Sequence, residues 1–378
     1  MTWIVGITIG FLAFLLVEAA ILRHARRGIP CRIVVTGTRG KSSLVRLLVA
    51  GIRATEPSTW GKITGDAPLL LLPDGMESVL ARRGPARVHE QARLLITCRR
   101  QGVRCLVLES MTISPEAMLA EMRLVDPTLV VVTNVRDDHR ETLGDDPDGQ
   151  RTAYLAALPE SCRWLTPDAD LLAFAARSGR CRASLVGLTT AEQQDDRDRN
   201  SVASEMLATA EAVLTELGWN TESARQAMKA VAADLVPPPR KVPFLGHEVR
   251  LLDAFSANDL QSLAQLWAGW RRDLRDEQPW SVLLSTRADR PLRTRQFCHW
   301  LAGRPDVGTI HVAGNHRWTA ARLLRQKGVA VRELNSDPMA AVAGTGAAGP
   351  GDQGVLVGMG NAQGVGLCLR AAACRTRA

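Results

Sequence analysis

The sequence is poor in aromatic residues, which make up 4% of its 378 residues and include one tyrosine. No stretch interleaves aromatic with basic side chains, which is the arrangement that stacks the bases of single-stranded nucleic acid. The net charge of +8 is moderate and is spread along the chain. The composition therefore predicts no nucleic-acid partner. The positive charge suits an acidic or phosphorylated substrate, or a membrane surface.

The eight cysteines are scattered, and no two of them form a C-x-x-C pair. This pattern disfavours a zinc knuckle or a disulfide framework, and it fits a reducing compartment. An internal repeat is also lacking, and the small-residue run at 340–351 is expected to be a mobile loop. With 46% hydrophobic residues, the chain is long enough for two or three globular domains.

Residues 33–43, IVVTGTRGKSS, have the pattern of a strand, a glycine loop and the start of a helix. Gly37 and Gly40 would let backbone N–H groups point inward around a phosphate. Lys41 would reach the terminal phosphates, and the Ser42 hydroxyl would ligate Mg²⁺. The motif is the short G-x-x-G-K-S form, because Val35 stands where a full Walker A motif has its first glycine. An ordinary glycine-containing β–α turn is the alternative.

The long apolar run at residues 3–22 has the length of a helix that crosses a bilayer. Glu18 is its single charged residue, and the basic sequence RHARR follows at 23–27. The positive-inside rule then predicts cytoplasmic catalytic domains and an outward-facing N-terminus. A secretory signal would carry its charges before the apolar run. A buried core helix is the alternative to a membrane anchor.

Ionisable side chains follow two further strand patterns. Residues 103–110 (VRCLVLES) carry Glu109 next to their end, and residues 129–133 (LVVVT) run into a polar segment that contains Asp138 and His139. Ligands of open α/β sheets bind at the carboxyl ends of strands, so Glu109 is a candidate Mg²⁺ ligand. His139, with Asp138, is a candidate for a second metal or a phosphate. A surface glutamate and a solvated histidine are the alternatives.

Residues 58–91 are predicted to be rich in loops, with Lys62 and Thr64 as candidates for a phosphate or carboxylate site or for a solvated loop. The sequence VPPPR at 236–240 predicts a stiff linker. Arg287 and Arg290 follow a later strand pattern and would clamp a carboxylate or phosphate. The predicted organisation is an anchor at 1–27, an ATP-binding domain at 28–236 and an α/β domain at 241–378, whose strand patterns lie at 249–254, 281–284, 307–312 and 354–357.

Three motifs together resemble the ATP-dependent Mur ligase superfamily: TGTRGKSS at 36–43, LES at 108–110 and TNVRDDHRETLG at 133–144. Within it, the apolar N-terminus and FSANDLQS at 255–262 are similar to the membrane-associated ligase subunits of poly-γ-glutamate synthases. The resemblance implies an α/β fold: an N-terminal transmembrane helix, a central ATPase domain with a P-loop, and a Rossmann-like C-terminal domain.

The resemblance also implies roles for individual residues. Ser42 and Glu109 would ligate one Mg²⁺, and His139 with Glu109 a second. Lys41 and His139 would supply catalytic charge. One departure is that residues 149–155 contain no lysine, whereas Mur ligases usually carry a carbamylated lysine there. The implied nucleotide-binding set is Gly37, Thr38, Arg39, Gly40, Lys41, Ser42, Ser43, Asn200, Arg240 and Asp253.

The implied activity is ATP-dependent polymerisation of glutamate into poly-γ-glutamate, through an acyl phosphate, at the cytoplasmic face of the cell membrane. ATP and Mg²⁺ are the implied cofactors. The implied partners are glutamate, the growing chain, the membrane and small membrane subunits of the synthase. Two alternatives stay open: another Mur-type ligase acting on a folate or cell-wall precursor, and a membrane-tethered regulatory or transport ATPase.

Overall fold

The structure is a computed structural model with side chains. Contacts divide the chain into two units, of which one comprises Met1–Arg199 and Ala203–Leu235, and the other comprises Asn200–Val202 and Val236–Ala378. The predicted domain boundaries stay predictions. The structure describes residues 2–64, 68–82, 87–136, 140–144, 146–160, 162–179, 183–185, 202–235, 239–257, 260–274, 279–334, 354–362 and 364–375.

The described strands of the first unit form an eight-stranded sheet, in which β1 pairs in parallel with β5 on one side and β6 on the other. In spatial order, the strands are β4 (Glu77–Val79), β3 (Leu69–Leu71), β2 (Thr59–Ile63), β5 (Cys105–Glu109), β1 (Cys31–Thr36), β6 (Leu129–Val132), β7 (Arg163–Thr166) and β8 (Ala183–Leu185). The helices are α1 (Thr2–Arg27), α2 (Lys41–Arg53), α3 (His89–Arg100), α4 (Pro115–Val125), α5 (Arg140–Leu143), α6 (Pro147–Ala157), α7 (Ala169–Arg177), α8 (Val202–Glu216) and α9 (Thr221–Leu235).

Side chains of β1 alternate between two buried layers, as the period of two in a strand requires. Ile33 and Val35 face a core built with α2, α8 and α9. Val34 faces the other core, which contains residues of α3, α4 and α7. Because both faces are covered, the middle of the strand, Ile33–Val35, is apolar. Polar groups of the site follow at its carboxyl end. The phosphate loop starts at that end.

The second unit has a six-stranded sheet of which β9 alone runs antiparallel among the described strands. This arrangement confirms the Rossmann-like α/β prediction for the C-terminal part. In spatial order, the strands are β13 (Val331–Glu333), β12 (Val307–Gly314), β11 (Trp280–Thr286), β14 (Gly354–Gly360), β10 (His247–Ala254) and β9 (Arg240–Phe244). The helices are α10 (Leu260–Asp273), α11 (Pro291–Ala302), α12 (Arg317–Arg325) and α13 (Val365–Arg375).

Helix α1 is exposed along nearly its whole length and joins the first unit through its last turn. In the described part of the chain it is the one helix that is long and apolar enough to cross a membrane. Ala25 is buried, and the Arg26 guanidinium donates to the carbonyl oxygens of Leu124 (2.8 Å) and Arg123 (2.9 Å) at the end of α4. The alternative of a buried core helix is therefore wrong. Three residues separate the end of α1 from the start of β1, so α1 joins the sheet at the end of β1 opposite the phosphate loop.

The loop-rich stretch 58–91 contains three short strands, β2, β3 and β4, that were not predicted. Lys62 lies inside β2 with its side chain fully buried, so its prediction as a residue of a ligand site or a solvated loop is wrong. Gly61 and Lys62 interrupt the strand pattern of β2 (TWGKI), so this strand was not predicted. It is buried where it pairs with β5. The predicted linker residues 236–238 and the run at 340–351 lie outside the described residues.

Candidate nucleotide and metal site

The loop between β1 and α2 turns at two glycines with left-handed backbone conformations. Gly37 has a φ of 118° and Gly40 a φ of 80°, values that residues with a side chain rarely adopt. A Cβ atom on Gly37 would lie 2.4 Å from Thr133 Oγ1 and 2.8 Å from the carbonyl oxygen of Asn134. Glycine is therefore needed at position 37 for both conformation and space, because the loop lies against the turn after β6.

Helix α2 begins with an N-terminus that suits an anion. Its N-cap is Gly40, and within the described residues no side chain accepts a capping hydrogen bond from the first turn of α2. The first N–H groups of a helix lack intrahelical acceptors, and the helix dipole adds partial positive charge there. Together with the glycine loop, this geometry forms the kind of cradle that holds phosphate.

The turn after β6 holds the phosphate loop in place through backbone and side-chain bonds. The N–H of Thr38 donates to the carbonyl of Asn134 (2.8 Å), and the Thr38 hydroxyl accepts from the N–H of Arg136 (3.0 Å). The Asn134 side chain accepts from the N–H of Arg39 (3.1 Å) and donates to its carbonyl (3.3 Å). The TNVR segment is thus a support for the phosphate loop, a role that the sequence analysis missed.

Lys41 lies at the loop that it is predicted to serve. Its Nζ donates to the carbonyl oxygens of Gly37 (2.7 Å) and Thr38 (3.3 Å). These bonds keep the Lys41 ammonium beside the N-terminus of α2. The charge of the ammonium there adds to the partial positive charge of the helix dipole. The position fits the predicted contact with the terminal phosphates of ATP.

Ser42 and Glu109 are brought into direct contact by the pairing of β1 with β5. Val35 is registered with Glu109, so the carboxylate lies at the start of the phosphate loop. Ser42 Oγ donates to Glu109 Oε2 (2.9 Å), and the N–H of Thr64 donates to the same oxygen (2.9 Å). Glu109 is 5% exposed. This contact joins the first turn of α2 to the ends of β5 and β2.

These oxygen atoms suit a hard divalent cation such as Mg²⁺ or Mn²⁺. Among the described residues, no group of three or more His, Cys, Asp or Glu side chains is placed to hold a metal. A cation at ATP sites commonly takes one or two protein oxygens and completes its shell with phosphate and water. Ser42 and Glu109 fit a cation that binds together with the nucleotide.

Lys62 is used inside the fold and does not face a ligand. Its Nζ donates to Gln91 Oε1 (3.1 Å) and lies 3.1 Å from Glu90 Oε2, whose other oxygen is 2.9 Å from Arg82 Nε. Burial lowers the pKa of Lys62, against the opposing effect of Glu90. Burial acts to raise the pKa of Glu90, but Lys62 and Arg82 outweigh it and lower that pKa.

A second buried carboxylate, Glu121, lies behind Glu109. It is fully buried on α4 and accepts hydrogen bonds from three successive residues after β5: Ser110 Oγ (2.7 Å), the N–H of Met111 (3.2 Å) and Thr112 Oγ1 (2.7 Å). Gln91 Nε2 donates to it at 2.9 Å. Glu121 was not predicted from the sequence. The available signal was a glutamate at helical spacing with Met118, Met122 and Val125 on an otherwise apolar face.

Two predicted nucleotide residues, Arg240 and Asp253, lie in the second unit. Arg240 opens β9, and Asp253 is the next-to-last residue of β10. Both Asp253 oxygens accept from Arg370, from Nε at 2.6 Å and from Nη2 at 2.8 Å. The candidate clamp residue Arg287 is paired with Asp289 at 2.7 Å. The ligand roles of all these residues stay predictions.

His139 and Asn200 lie outside the described residues, as do Asp138, Asn258 and Asp259. Their predicted roles, including the second metal site, stay predictions. Residues 149–155, where the departure from the Mur pattern falls, lie in α6. There Gln150 is buried and donates to the carbonyl of Gly144 at 2.7 Å.

Comparison with known proteins finds similar sequences of one kind. A family profile described as the poly-gamma-glutamate synthase CapB C-terminal domain matches residues 240–374. The PGA synthase CapB of Bacillus subtilis (strain 168) is 24% identical over 294 residues, which are 73% of this chain and 73% of that protein. The chain is thus similar to CapB-type poly-gamma-glutamate synthases, in its C-terminal part by the family profile and over most of its length by the curated relative. This similarity indicates an ATP-dependent amide ligase.

Solved structures support the same fold across nearly the whole chain. FolC of E. coli, in complex with ADP, aligns over 98% of both chains with a TM-score of 0.64 and 17% identity. The bifunctional folylpolyglutamate synthase/dihydrofolate synthase of Yersinia pestis, complexed with AMPPNP and a Mn ion, aligns over 93% of both chains with a TM-score of 0.61 and 16% identity. At this level of identity the likeness shows the Mur-ligase-like fold. Those structures contain a nucleotide, and one contains a divalent metal ion. In this chain, the phosphate loop and the Ser42–Glu109 contact are suited to such ligands.

Proposed function

We propose that this chain joins glutamate residues into poly-γ-glutamate, using ATP and Mg²⁺ at the cytoplasmic face of the membrane. The observation that carries the proposal is the 2.9 Å contact between Ser42 Oγ and Glu109 Oε2 beside the phosphate loop. It supports use of a nucleotide with a divalent cation. The proposed substrate, glutamate, is inferred from the similarity to CapB, which is named as a PGA synthase.

Amide formation needs ATP because a carboxylate is a poor electrophile. In the proposed reaction, the γ-carboxylate of a glutamate attacks the terminal phosphorus of ATP, which gives an acyl phosphate and ADP. The amine of the next glutamate attacks the acyl carbon, loses a proton and releases phosphate. The protein's task is to position the reactants and to neutralise charge on the transferring phosphoryl group.

The described residues divide this task among them. The glycine loop and the N-terminus of α2 would bind the β- and γ-phosphates, with Lys41 neutralising their charge. Ser42 and Glu109 would hold the cation, which supplies charge stabilisation to the phosphates. The turn after β6 holds the loop in one conformation, so little reorganisation is needed when ATP binds. The roles of His139, Asn200, Arg240 and Asp253 in binding metal or nucleotide stay predictions.

The proposed location rests on α1 and its basic end. A helix with exposed apolar residues from Trp3 to Ile21 would be costly to leave in water, and a bilayer removes that cost. By the positive-inside rule, the basic residues at 23–27 favour a cytoplasmic location for the catalytic units. Small membrane subunits of the synthase are the proposed protein partners.

The test is to incubate the purified full chain in detergent with ATP, Mg²⁺ and labelled glutamate, and to measure ADP and polymer. Wild type should form both, and Lys41→Ala should lower both by about a hundredfold or more. Lys229→Ala, which changes an exposed lysine of α9, should retain wild-type rates. Polymer formation by Lys41→Ala would contradict the site.

The same assay separates the alternatives. ADP formation that does not depend on glutamate would favour a membrane-tethered ATPase. ADP formation that requires a folate or a cell-wall precursor, with no glutamate polymer, would favour another Mur-type ligase. Adding candidate membrane subunits to parallel reactions tests whether they are needed.

A further inference from the structure

Glu121 on α4 is a fully buried carboxylate that does not touch the proposed metal–nucleotide site. We propose that it is a positioning residue for Glu109: it fixes the turn after β5, and this holds the Glu109 carboxylate ready for the divalent cation. The proposal rests on the proposed function, because it takes Glu109 to be the metal ligand.

The first support is the placement of the hydrogen bonds. Glu109 is the last residue of β5, and the next three residues all donate to the one carboxylate of Glu121. Oε2 accepts from the Ser110 and Thr112 hydroxyls, both at 2.7 Å. Oε1 accepts from the N–H of Met111 at 3.2 Å. A turn bound at three successive residues has little freedom to rotate the residue before it.

The second support is that Glu109 is held from its other side by β2. The N–H of Thr64 donates to Glu109 Oε2 (2.9 Å). Two residues earlier in the chain, Lys62 donates to Gln91 Oε1 (3.1 Å), and Gln91 donates to Glu121 (2.9 Å). A continuous buried chain of bonds therefore links the strand on one side of Glu109 to the turn that follows it.

The third support is energetic. Burying the charged groups of Lys62 and Glu121 costs free energy, which their hydrogen bonds offset, and apolar residues of similar volume are often as stable. A folding role alone does not call for charges at these positions. Buried hydrogen bonds of this kind often orient the residues that ligate a metal. Mutation of such a partner typically weakens metal affinity by about 10- to 100-fold.

The experiment measures Mn²⁺ binding to the full chain by electron paramagnetic resonance, with the β,γ-imido analogue of ATP present. Glu121→Ala should weaken Mn²⁺ binding by about tenfold or more. Its kcat should recover at high Mn²⁺, and the KM for glutamate should stay unchanged. Thr112→Val, which removes one of the bonds with little change in volume, should weaken Mn²⁺ binding by a smaller factor.

The matched control is Asp306→Ala in the second unit. Asp306 is also a buried carboxylate, 3% exposed, and it accepts from Trp267 Nε1 at 2.7 Å. This variant should lower the thermal midpoint without changing Mn²⁺ affinity. Wild-type Mn²⁺ affinity in both Glu121→Ala and Thr112→Val would overturn the proposal. If Glu121→Ala does not fold, Thr112→Val decides the outcome.

A further variant separates the two proposals. Glu109→Gln should abolish tight Mn²⁺ binding. If Glu109→Gln keeps wild-type affinity, the assigned metal ligand is wrong and the positioning role falls with it. If Glu109→Gln loses the metal while the Glu121 and Thr112 variants keep it, the proposed function stands and the positioning role alone is wrong.

Discussion

The side-chain amide of Asn134 and the backbone of Arg39 are hydrogen-bonded in both directions, at 3.1 Å and 3.3 Å. Arg39 lies in the phosphate loop after β1, and Asn134 lies in the turn after β6. One side chain thus satisfies both polar groups of a loop residue that has no regular secondary structure. The phosphate loop is therefore held in place by the neighbouring strand's turn as well as by its own glycines.

We expect Asn134→Ala to loosen the phosphate loop. The loss of two bonds should lower the stability of the first unit by about 1–2 kcal/mol and raise the KM for ATP about tenfold. Initial rates at varied ATP, together with the thermal midpoint, measure both effects. The control is Asn220→Ala, because Asn220 caps α9 by accepting from the N–H of Glu222 at 2.9 Å. It should lose about 1 kcal/mol with an unchanged KM for ATP. A wild-type KM for ATP in Asn134→Ala would show that the hydrogen bonds between Asn134 and Arg39 do not affect nucleotide binding.

We expect stability to fall in acid because of Glu90. Its pKa is lowered from the ordinary value of 4.5 in the folded chain, despite its partial burial, by Lys62 and Arg82. The unfolded chain therefore binds more protons between the lowered pKa and 4.5. The stability from this group is complete above that window and is lost as the pH falls through it. Urea unfolding between pH 6 and about 3 should show a steeper decline in wild type than in Glu90→Gln.

The control for this pH effect is Glu116→Gln, because Glu116 is an exposed residue in the first turn of α4. That variant should keep the wild-type decline. An equal decline in wild type and Glu90→Gln would mean that Glu90 does not contribute.

We expect removal of residues 2–21 to free the chain from membranes without unfolding it. Residues 3–21 are exposed, whereas Ala25 and Ile29 are buried in the first unit and Arg26 is hydrogen-bonded to the end of α4. Sedimentation with lipid vesicles should leave the truncated chain in the supernatant and the full chain in the pellet. Its thermal midpoint should match that of the full chain.

A deeper truncation, of residues 2–29, serves as the comparison. It also removes Ala25, Arg26 and Ile29, so it should lower the thermal midpoint of the first unit. Sedimentation of the shorter truncation with vesicles would show that α1 is not the membrane-binding element.

Local features of the site were predictable, because they depend on neighbours in the chain. The strand–loop–helix at 33–53 follows from β-branched residues, glycines and helical spacing, and the structure contains all three. Glu109 was predicted from its place after an apolar strand. Lys62 was misjudged because Gly61 and Lys62 interrupt the strand pattern of β2. Its burial depends on the pairing of β2 with β5 and on Gln91 and Glu90. Glu121 was missed because its partners come from two elements distant in the sequence, α3 and the turn after β5.

The amino-acid sequence by itself determined which residues can grip a phosphate: a glycine bend that permits left-handed backbone angles, with a lysine and a hydroxyl at the start of a helix. Only the tertiary structure decided which residues from other strands contact the phosphate loop and the start of α2. Placing β1 between β5 and β6 brings Ser42 to Glu109, 67 positions away, and Arg39 to Asn134, 95 positions away. The physical reason is that strand order is set by how whole apolar faces pack, a global property that no short stretch of residues encodes.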